Sequence, residues 1–312
     1  MTQRTQSELI LIVLTLVWGS TFALNKTALT GITPFALVAA RFTVGALVFA
    51  LLFFRQLRNV APSTLRKGVL LGLMFGVALA LQTLGLRYTT ASKSGFITGL
   101  CVVLTPLVQL VVERRAPKMG NVIGIVIVAA GLYLLTSPNG SGFNIGDAIT
   151  LAASFLFGVY IVYVDVFTQN ENALQLTFLQ ILSTAVIGSL LLPFETPQLV
   201  VTGKLVIVLL YLGAVATVLT TYLQTRFQKE TTPTRAAVVY AMEPVFAALF
   251  AYFLLSELLG KLGIAGAALI VAGVLVSELS DSRGLRGTTG NDEELSCFSL
   301  SSPEFPFARR GT

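Results

Sequence analysis

Apolar residues in this chain come in long unbroken stretches rather than alternating with polar ones. Ten can be traced, at 9–28, 34–54, 68–88, 95–112, 120–136, 147–167, 173–193, 204–224, 236–256 and 261–280. A bilayer core of about 30 Å asks for a helix of about 20 mostly apolar residues, so each stretch is predicted to cross a membrane. Polar and turn-forming residues separate them at 25–33, 55–67, 113–118, Ser137-Pro138-Asn139-Gly140 and Thr231-Thr232-Pro233-Thr234. A soluble helical protein would show polar stripes at helical spacing. The segment 122–135 shows none. Arg4 ahead of the first stretch imitates a signal peptide. No small-x-small cleavage pattern follows it and nine more spans do, so it is read as an uncleaved helix.

Composition agrees. The AVILMFWYC set makes up 54% of the 312 residues and charged residues only 12%, about half the share of an average soluble chain. Mean hydropathy is +0.82. So few charges cannot cover a water-facing surface, and the predicted class is an all-α integral membrane protein with ten transmembrane helices. Histidine is absent, which removes the Ser-His-Asp triad and imidazole proton relays. The two cysteines, Cys101 and Cys297, are far apart and suggest neither a zinc site nor a disulfide framework. No G-x-x-x-x-G-K-[ST] run is present, which argues against an ATP-driven pump. Asp147 and Asp165 fall at span ends on opposite sides, which leaves no aspartyl pair for intramembrane proteolysis. No enzyme, cofactor or metal is expected.

The net charge of +6 takes its meaning from placement. One side of the predicted membrane carries thirteen basic residues: Arg4, Arg55, Arg58, Arg66, Lys67, Arg114, Arg115, Lys118, Arg226, Lys229, Arg235, Arg283 and Arg286. The other side carries five: Lys26, Arg87, Lys93, Lys204 and Lys261. Basic loops stay in the cytoplasm, so both termini are expected inside a multi-pass inner (plasma) membrane protein. The partner of this surplus is the lipid bilayer, not nucleic acid.

The chain also repeats itself. QTLGLRYTTASK at 82–93 aligns with QTRFQKETTPTR at 224–235, an offset of 142 that pairs Gln82 with Gln224 and Lys93 with Arg235. The same offset lays VIGIVIVAAGLYLL (122–135) on IAGAALIVAGVLVS (264–277). Between these blocks Pro106 matches Pro244 only at 138, a slip of about one helical turn. Each copy holds five spans, an odd number, so the second enters the membrane inverted. The expected units are 8–136, 147–280 and a disordered cytoplasmic tail at 281–312, rich in Ser, Gly and Thr with charges of both signs. Inverted repeats around a midplane site are an architecture of secondary transporters.

Five segments carry a resemblance to a known family: LVWGSTFALNK at 16–26, AARF at 39–42, SGFITGLCVVLTPLV at 94–108, AMEPVFAALFAYFLLSELL at 241–259 and GAALIVAGVLV at 266–276. In that order the chain resembles EamA-type members of the drug/metabolite transporter superfamily over about residues 8–280. The resemblance implies a ten-helix carrier, usually an exporter of small metabolites or drugs, without specifying its substrate.

Polar groups within spans are costly and are the candidates for function. Arg41 lies about two turns below the outer end of the second span, and Glu243 about two turns inside the ninth, directly before Pro244. For Arg41 the alternative is a snorkelling or helix-locking role. For Glu243 it is a helix-start carboxylate paired with Arg235 or Arg226. The functional reading makes Glu243 the coupling group for protons or a cationic substrate. Ser20, Thr21, Arg41, Gln82, Tyr160, Tyr163, Gln180 and Tyr240 are the candidate substrate contacts. Trp18 is assigned to packing, Lys26 to the outer headgroups, and Thr217, Thr220 and Thr221 to their own backbone. Pro106 and Pro244 are expected as paired hinges. The expected function is alternating-access export of small organic solutes, with protons a candidate coupling ion. The alternative is a lipid-handling scaffold, which needs a basic groove, whereas Arg41 is the one deep cation. Topology is directly testable: cysteines at Ser63 and Arg283 should resist a membrane-impermeant thiol reagent in intact cells, and one at Asn139 should react. Reaction at Ser63 would reverse the orientation.

Overall fold

A computed structural model describes residues 3–114, 116–135, 143–258 and 260–287. Ten helical segments follow one another: α1 (Gln3–Ala28), α2 (Pro34–Phe53), α3 (Pro62–Tyr88), α4 (Ala91–Glu113), α5 (Met119–Leu135), α6 (Ile145–Thr168), α7 (Ala173–Leu191), α8 (Gly203–Glu230), α9 (Pro233–Leu255) and α10 (Lys261–Gly287). Eight are long and apolar enough to span a bilayer; α5 and α10 contribute shorter apolar stretches. The only extended pairing among the described residues is a single bridge, Ile32 with Leu199. The protein is an all-helical, multi-pass membrane protein.

Local signals set the helix starts. Pro34, Pro62 and Pro233 occupy first-turn positions, where a missing N–H costs no helical hydrogen bond. Asn144 and Asp147 form a reciprocal capping box at the start of α6. Asn172 caps α7 through Leu174 and Gln175. These caps lengthen several helices beyond the apolar stretches. Thus α3 begins at Pro62, inside the predicted loop 55–67, because the proline and its polar followers can lie at the headgroup level. The last helix runs to Gly287, so 281–287 are helical rather than tail; no proline interrupts them. The remainder of the predicted tail, and Asn139, lie outside the described residues.

Two helices are broken at matching places. In α4 the helix stops at Gly99 and restarts at Cys101. In α9 it stops at Tyr240 and restarts at Glu243. The starts (Ala91 and Pro233), restarts (Cys101 and Glu243) and ends (Glu113 and Leu255) all lie 142 positions apart. Left-handed caps then follow at Arg114 and Ser256, each with φ of 56°. The register therefore does not slip within this pair, and Pro106 and Pro244 are not equivalent. Pro244 directly follows the second break, whereas Pro106 sits inside regular helix. The similar prolines lie about a turn apart on helices whose backbones match.

Glycines bring the repeats together. A Cβ on Gly124 would lie 2.8 Å from Gly273 O, and one on Gly131 2.7 Å from Gly266 O. Gly124 and Gly266 are mates, as are Gly131 and Gly273, so the α5–α10 contact is its own reciprocal. The same holds elsewhere. A Cβ on Gly19 would meet Phe246 and Ala247, and one on Gly158 would meet Leu104 and Thr105. This relates α1 to α6 by 139 positions, while α4 and α9 keep 142. Gly72 lies against Gln180 and Ser183, and Gly213 against Arg41 and Val44. That pair is 141 apart, yet Gln82 and Gln224 beyond it are 142 apart. The added residue falls in α8, where Tyr211–Leu219 is π-helical. A π turn, bonded i to i+5, holds one residue more than an α turn.

Apolar surface offers no driving force between helices in lipid, so such close approaches carry much of the cohesion. Gly131→Val should force apart the backbones of α5 and α10 and cost about 1–3 kcal/mol. Thermal unfolding in detergent should show a lowered midpoint. Gly203→Ala, with no atom within 4 Å of the added carbon, should leave the midpoint unchanged.

Candidate functional site

A cavity lies where the two repeats meet. Its wall is built from α1 (Trp18, Thr21), α2 (Arg41), α3 (Phe75, Leu79, Gln82), α4 (Thr98, Cys101), α6 (Phe157, Tyr160, Ile161), α8 (Gln224) and α9 (Tyr240, Glu243). The two helix breaks open onto it, one at Cys101 and the other at its mate Glu243. A Cβ on Gly99 would lie 2.6 Å from Pro244 Cγ, so the breaks in α4 and α9 pack on one another. Gln82 and Gln224, Thr98 and Tyr240, and Cys101 and Glu243 are three mate pairs on this wall. The repeat thus builds the site twice and then varies its chemistry.

Arg41 is buried and neutral groups hold it. Its Nε donates to Thr217 Oγ1 at 2.8 Å and its Nη2 to Ala216 O at 2.9 Å. The guanidinium carbon also stands 5.3 Å from the Phe42 ring centroid. Both acceptors belong to the π segment of α8. The inserted residue therefore falls where the arginine binds. Thr217, expected from the sequence to bond its own backbone, instead anchors Arg41 through its hydroxyl.

Glu243 faces the same cavity. No ion pair within 4 Å joins it to Arg41 among the described residues. Arg235 is engaged by Glu8 and Arg226 by Glu230, so the alternative pairing of Glu243 with either base is not realised. The wall therefore presents one anchored cation and one carboxylate with no salt-bridge partner.

Aromatic rings and amides complete it. Trp18 and Tyr240 meet edge to face at 5.3 Å, and Phe75 stacks on Tyr160 at 4.9 Å. Trp18 Nε1 donates to Thr220 Oγ1 at 2.9 Å, so Trp18 is a cavity residue held by a hydrogen bond, and Thr220 does more than bond its own backbone. Tyr160 Oη donates to Gln180 Oε1 at 2.7 Å, with Gln224 Oε1 a second acceptor at 3.2 Å. Gln224 Nε2 and Tyr240 Oη both donate to Gln228 Oε1, and Gln228 Nε2 donates to Ile161 O. Gln82 Nε2 donates to Thr98 Oγ1 at 2.9 Å.

Of the candidate contacts, Thr21, Arg41, Gln82, Tyr160 and Tyr240 come together on this wall, with Glu243. Three do not line it. Ser20 Oγ bonds Tyr211 Oη and Val17 O. Tyr163 packs against Phe167, since three residues along a helix still turn it about 60° from Tyr160. Gln180 supports Tyr160 from behind. Sequence reasoning missed Gln224, although it is the mate of Gln82. It also missed Phe75, Thr98, Cys101 and Phe157, which look like ordinary span residues. Lys26 does not reach headgroups: its Nζ donates to Leu86 O and Thr89 O and so satisfies the end of α3. Asp147 is fully buried, not water-exposed, with Lys93 Nζ at 2.5 Å.

Comparison with known proteins settles the family. The EamA-like transporter family matches twice, over residues 6–137 and 144–279. The chain belongs to that family. An "uncharacterized transporter" of Archaeoglobus fulgidus is 32% identical over 277 residues, covering 89% of this chain and 87% of the relative. The "uncharacterized transporter YcxC" of Bacillus subtilis is 21% identical over 300 residues, 89% and 94% of the two chains. One solved crystal structure superposes with a TM-score of 0.73 at 23% identity, over 90% of this chain and 99% of that one. At that identity the likeness concerns the fold. This EamA-family chain therefore has a transporter's fold and relatives named as transporters.

The Arg41 anchor gives a direct prediction. Thr217→Val leaves a buried guanidinium N–H unsatisfied and should cost about 1–3 kcal/mol. Thr217→Ser keeps the acceptor and should cost less. Thermal unfolding of the two purified variants compares them.

Proposed function

We propose that this EamA-family protein is a secondary carrier that exports small organic solutes by alternating access, with the midplane cavity as its binding site. The observation that carries this reading is the pairing, on one wall, of an anchored arginine and a carboxylate with no salt-bridge partner. A solute with hydrogen-bonding or charged groups and an apolar body fits such a surface. Charged groups that only stabilised the fold would be expected to meet each other. A lipid-handling scaffold would instead need a basic groove, and Arg41 is the one cation on this wall. We place both termini in the cytoplasm, on the thirteen-to-five distribution of basic residues, and the protein in the inner (plasma) membrane.

In this scheme Glu243 is the coupling residue. A carboxylate in an apolar cavity is ionised only at a desolvation cost of several kcal/mol. It can therefore take a proton on one side and lose it on the other as access alternates. Pro244 stiffens the restart of α9 directly behind Glu243, and the α4 and α9 breaks are the points where both helices can bend. Pro106, inside regular helix, has no such place in the scheme.

Two measurements test the proposal. A metabolite panel should contain small polar solutes that raise the melting temperature of the purified protein, since binding stabilises by mass action. Stabilisation by lipids alone would favour the scaffold. In proteoliposomes, Glu243→Gln should abolish gradient-driven accumulation while keeping substrate exchange. Wild-type accumulation in that variant would remove the coupling role.

A further inference from the structure

The same polar device occurs at both ends of the molecule. At one end Asp147, in the first turn of α6, receives Thr89 Oγ1 at 2.8 Å and Lys93 Nζ at 2.5 Å. At the other, Glu8, near the start of α1, receives Arg235 Nε and Nη2 at 2.9 and 2.8 Å and Thr231 Oγ1 at 3.1 Å. Thr89 and Thr231 are mates 142 apart, as are Lys93 and Arg235. Asp147 and Glu8 are 139 apart, the offset that relates α6 to α1 through Gly158 and Gly19. Even the caps repeat: Thr90 accepts from Lys93 N and Thr232 from Arg235 N. All four charged groups lie at least four-fifths buried.

Each device ties one repeat to the other. Asp147 belongs to the second repeat and grips the α3–α4 turn of the first. Glu8 belongs to the first and grips the α8–α9 turn of the second. Counting crossings places the two at opposite membrane faces. Helices α3 and α6 are three crossings apart, so α3 ends where α6 begins. Likewise α8 ends on the side where α1 begins. The tied helices α1, α4, α6 and α9 all carry cavity walls. Midway along them, Gly19 lies against Phe246 and Ala247, and Gly158 against Leu104 and Thr105. These backbone-close contacts leave the helix ends as the parts that can separate.

We propose that Asp147 with Lys93 and Thr89, and Glu8 with Arg235 and Thr231, are twin latches that close opposite ends of the cavity and release in turn. The proposal rests on the carrier reading, and it adds the groups that hold each end shut. A buried charge pair left without one partner is strongly destabilised. Neutralising one carboxylate therefore disfavours the state in which its end is closed, and the population moves to the state open at that end.

Cys101 on the cavity wall is a native reporter. With Cys297→Ser it becomes the single cysteine, and its labelling by a small membrane-impermeant methanethiosulfonate reads access from each face in right-side-out and inverted vesicles. Asp147→Asn should speed labelling from one face, and Glu8→Gln from the other, each by about tenfold, the size of a modest population shift. The double variant should label faster than the parent from both faces, because the state with both latches closed, as in this structure, loses both pairs while each open state loses one. Charge-swapped doubles, Asp147→Lys with Lys93→Asp and Glu8→Arg with Arg235→Glu, should restore slow labelling and show that the singles did not merely misfold. Acceleration from the same face by both singles, or no change in either, overturns the latches. Acceleration from both faces by either single variant overturns their alternation. Labelling needs no substrate, so altered access with no detectable transport would count against the carrier reading and not against the latches.

Discussion

Backbone-close packing between the two repeats is the constraint on which the rest of this molecule depends. Lipid is as apolar as the helices, so their surfaces gain little by merely meeting. They hold where small residues let main chains touch. Gly124 with Gly273, Gly131 with Gly266, Gly72 with Gln180 and Gly213 with Arg41 are such places. The same pairs set the relative depth of the helices. Once α5 lies on α10 and α3 on α7, the breaks in α4 and α9 have to face each other at mid-depth.

A cavity at that level must then be lined by polar groups that find partners in the protein. Most do. Arg41 is held by Thr217 and Ala216 O, and Tyr160 and Tyr240 share an amide network with Gln180, Gln224 and Gln228. The π segment of α8 is part of this solution. One inserted residue shifts the repeat offset from 141 to 142 within the stretch that supplies both acceptors for Arg41. At the start of α3, Lys67 and Thr64 hold the Glu171 carboxyl below the usual carboxylate range. This tie between α3 and the α6–α7 turn persists near neutral pH and weakens as Glu171 becomes protonated in acid.

Symmetry also explains where the site's chemistry departs from duplication. Cys101 and Glu243 hold equivalent positions after the two breaks, yet only one is a carboxylate. Thr98 and Tyr240 are equivalent, yet only the tyrosine reaches Gln228. The binding wall is thus asymmetric in charge while its backbone is nearly two-fold. That arrangement suits a solute with distinct ends, as the proposed function requires.

The spans, their number and the repeat were legible in the chain because each depends on local hydropathy and on sequence compared with itself. Gln82 aligns with Gln224, and the glycines of 122–135 align with those of 264–277, in the sequence alone. Arg41 and Glu243 stood out because charge inside an apolar run is conspicuous wherever the helix packs. What the sequence could not decide was which neighbours meet. Tyr160 and Tyr163 look alike in an apolar run, and only the rotation of α6 against α3 puts Tyr160 on the cavity wall. Thr217 reads as a self-bonding threonine until α2 brings Arg41 against it. Asp147 reads only as a span end, and nothing local marks Glu8, because Lys93 and Arg235 come from other helices. Local hydropathy determines which segments enter the bilayer. Partners 54 and 227 positions apart are chosen only when the two repeats close on one another.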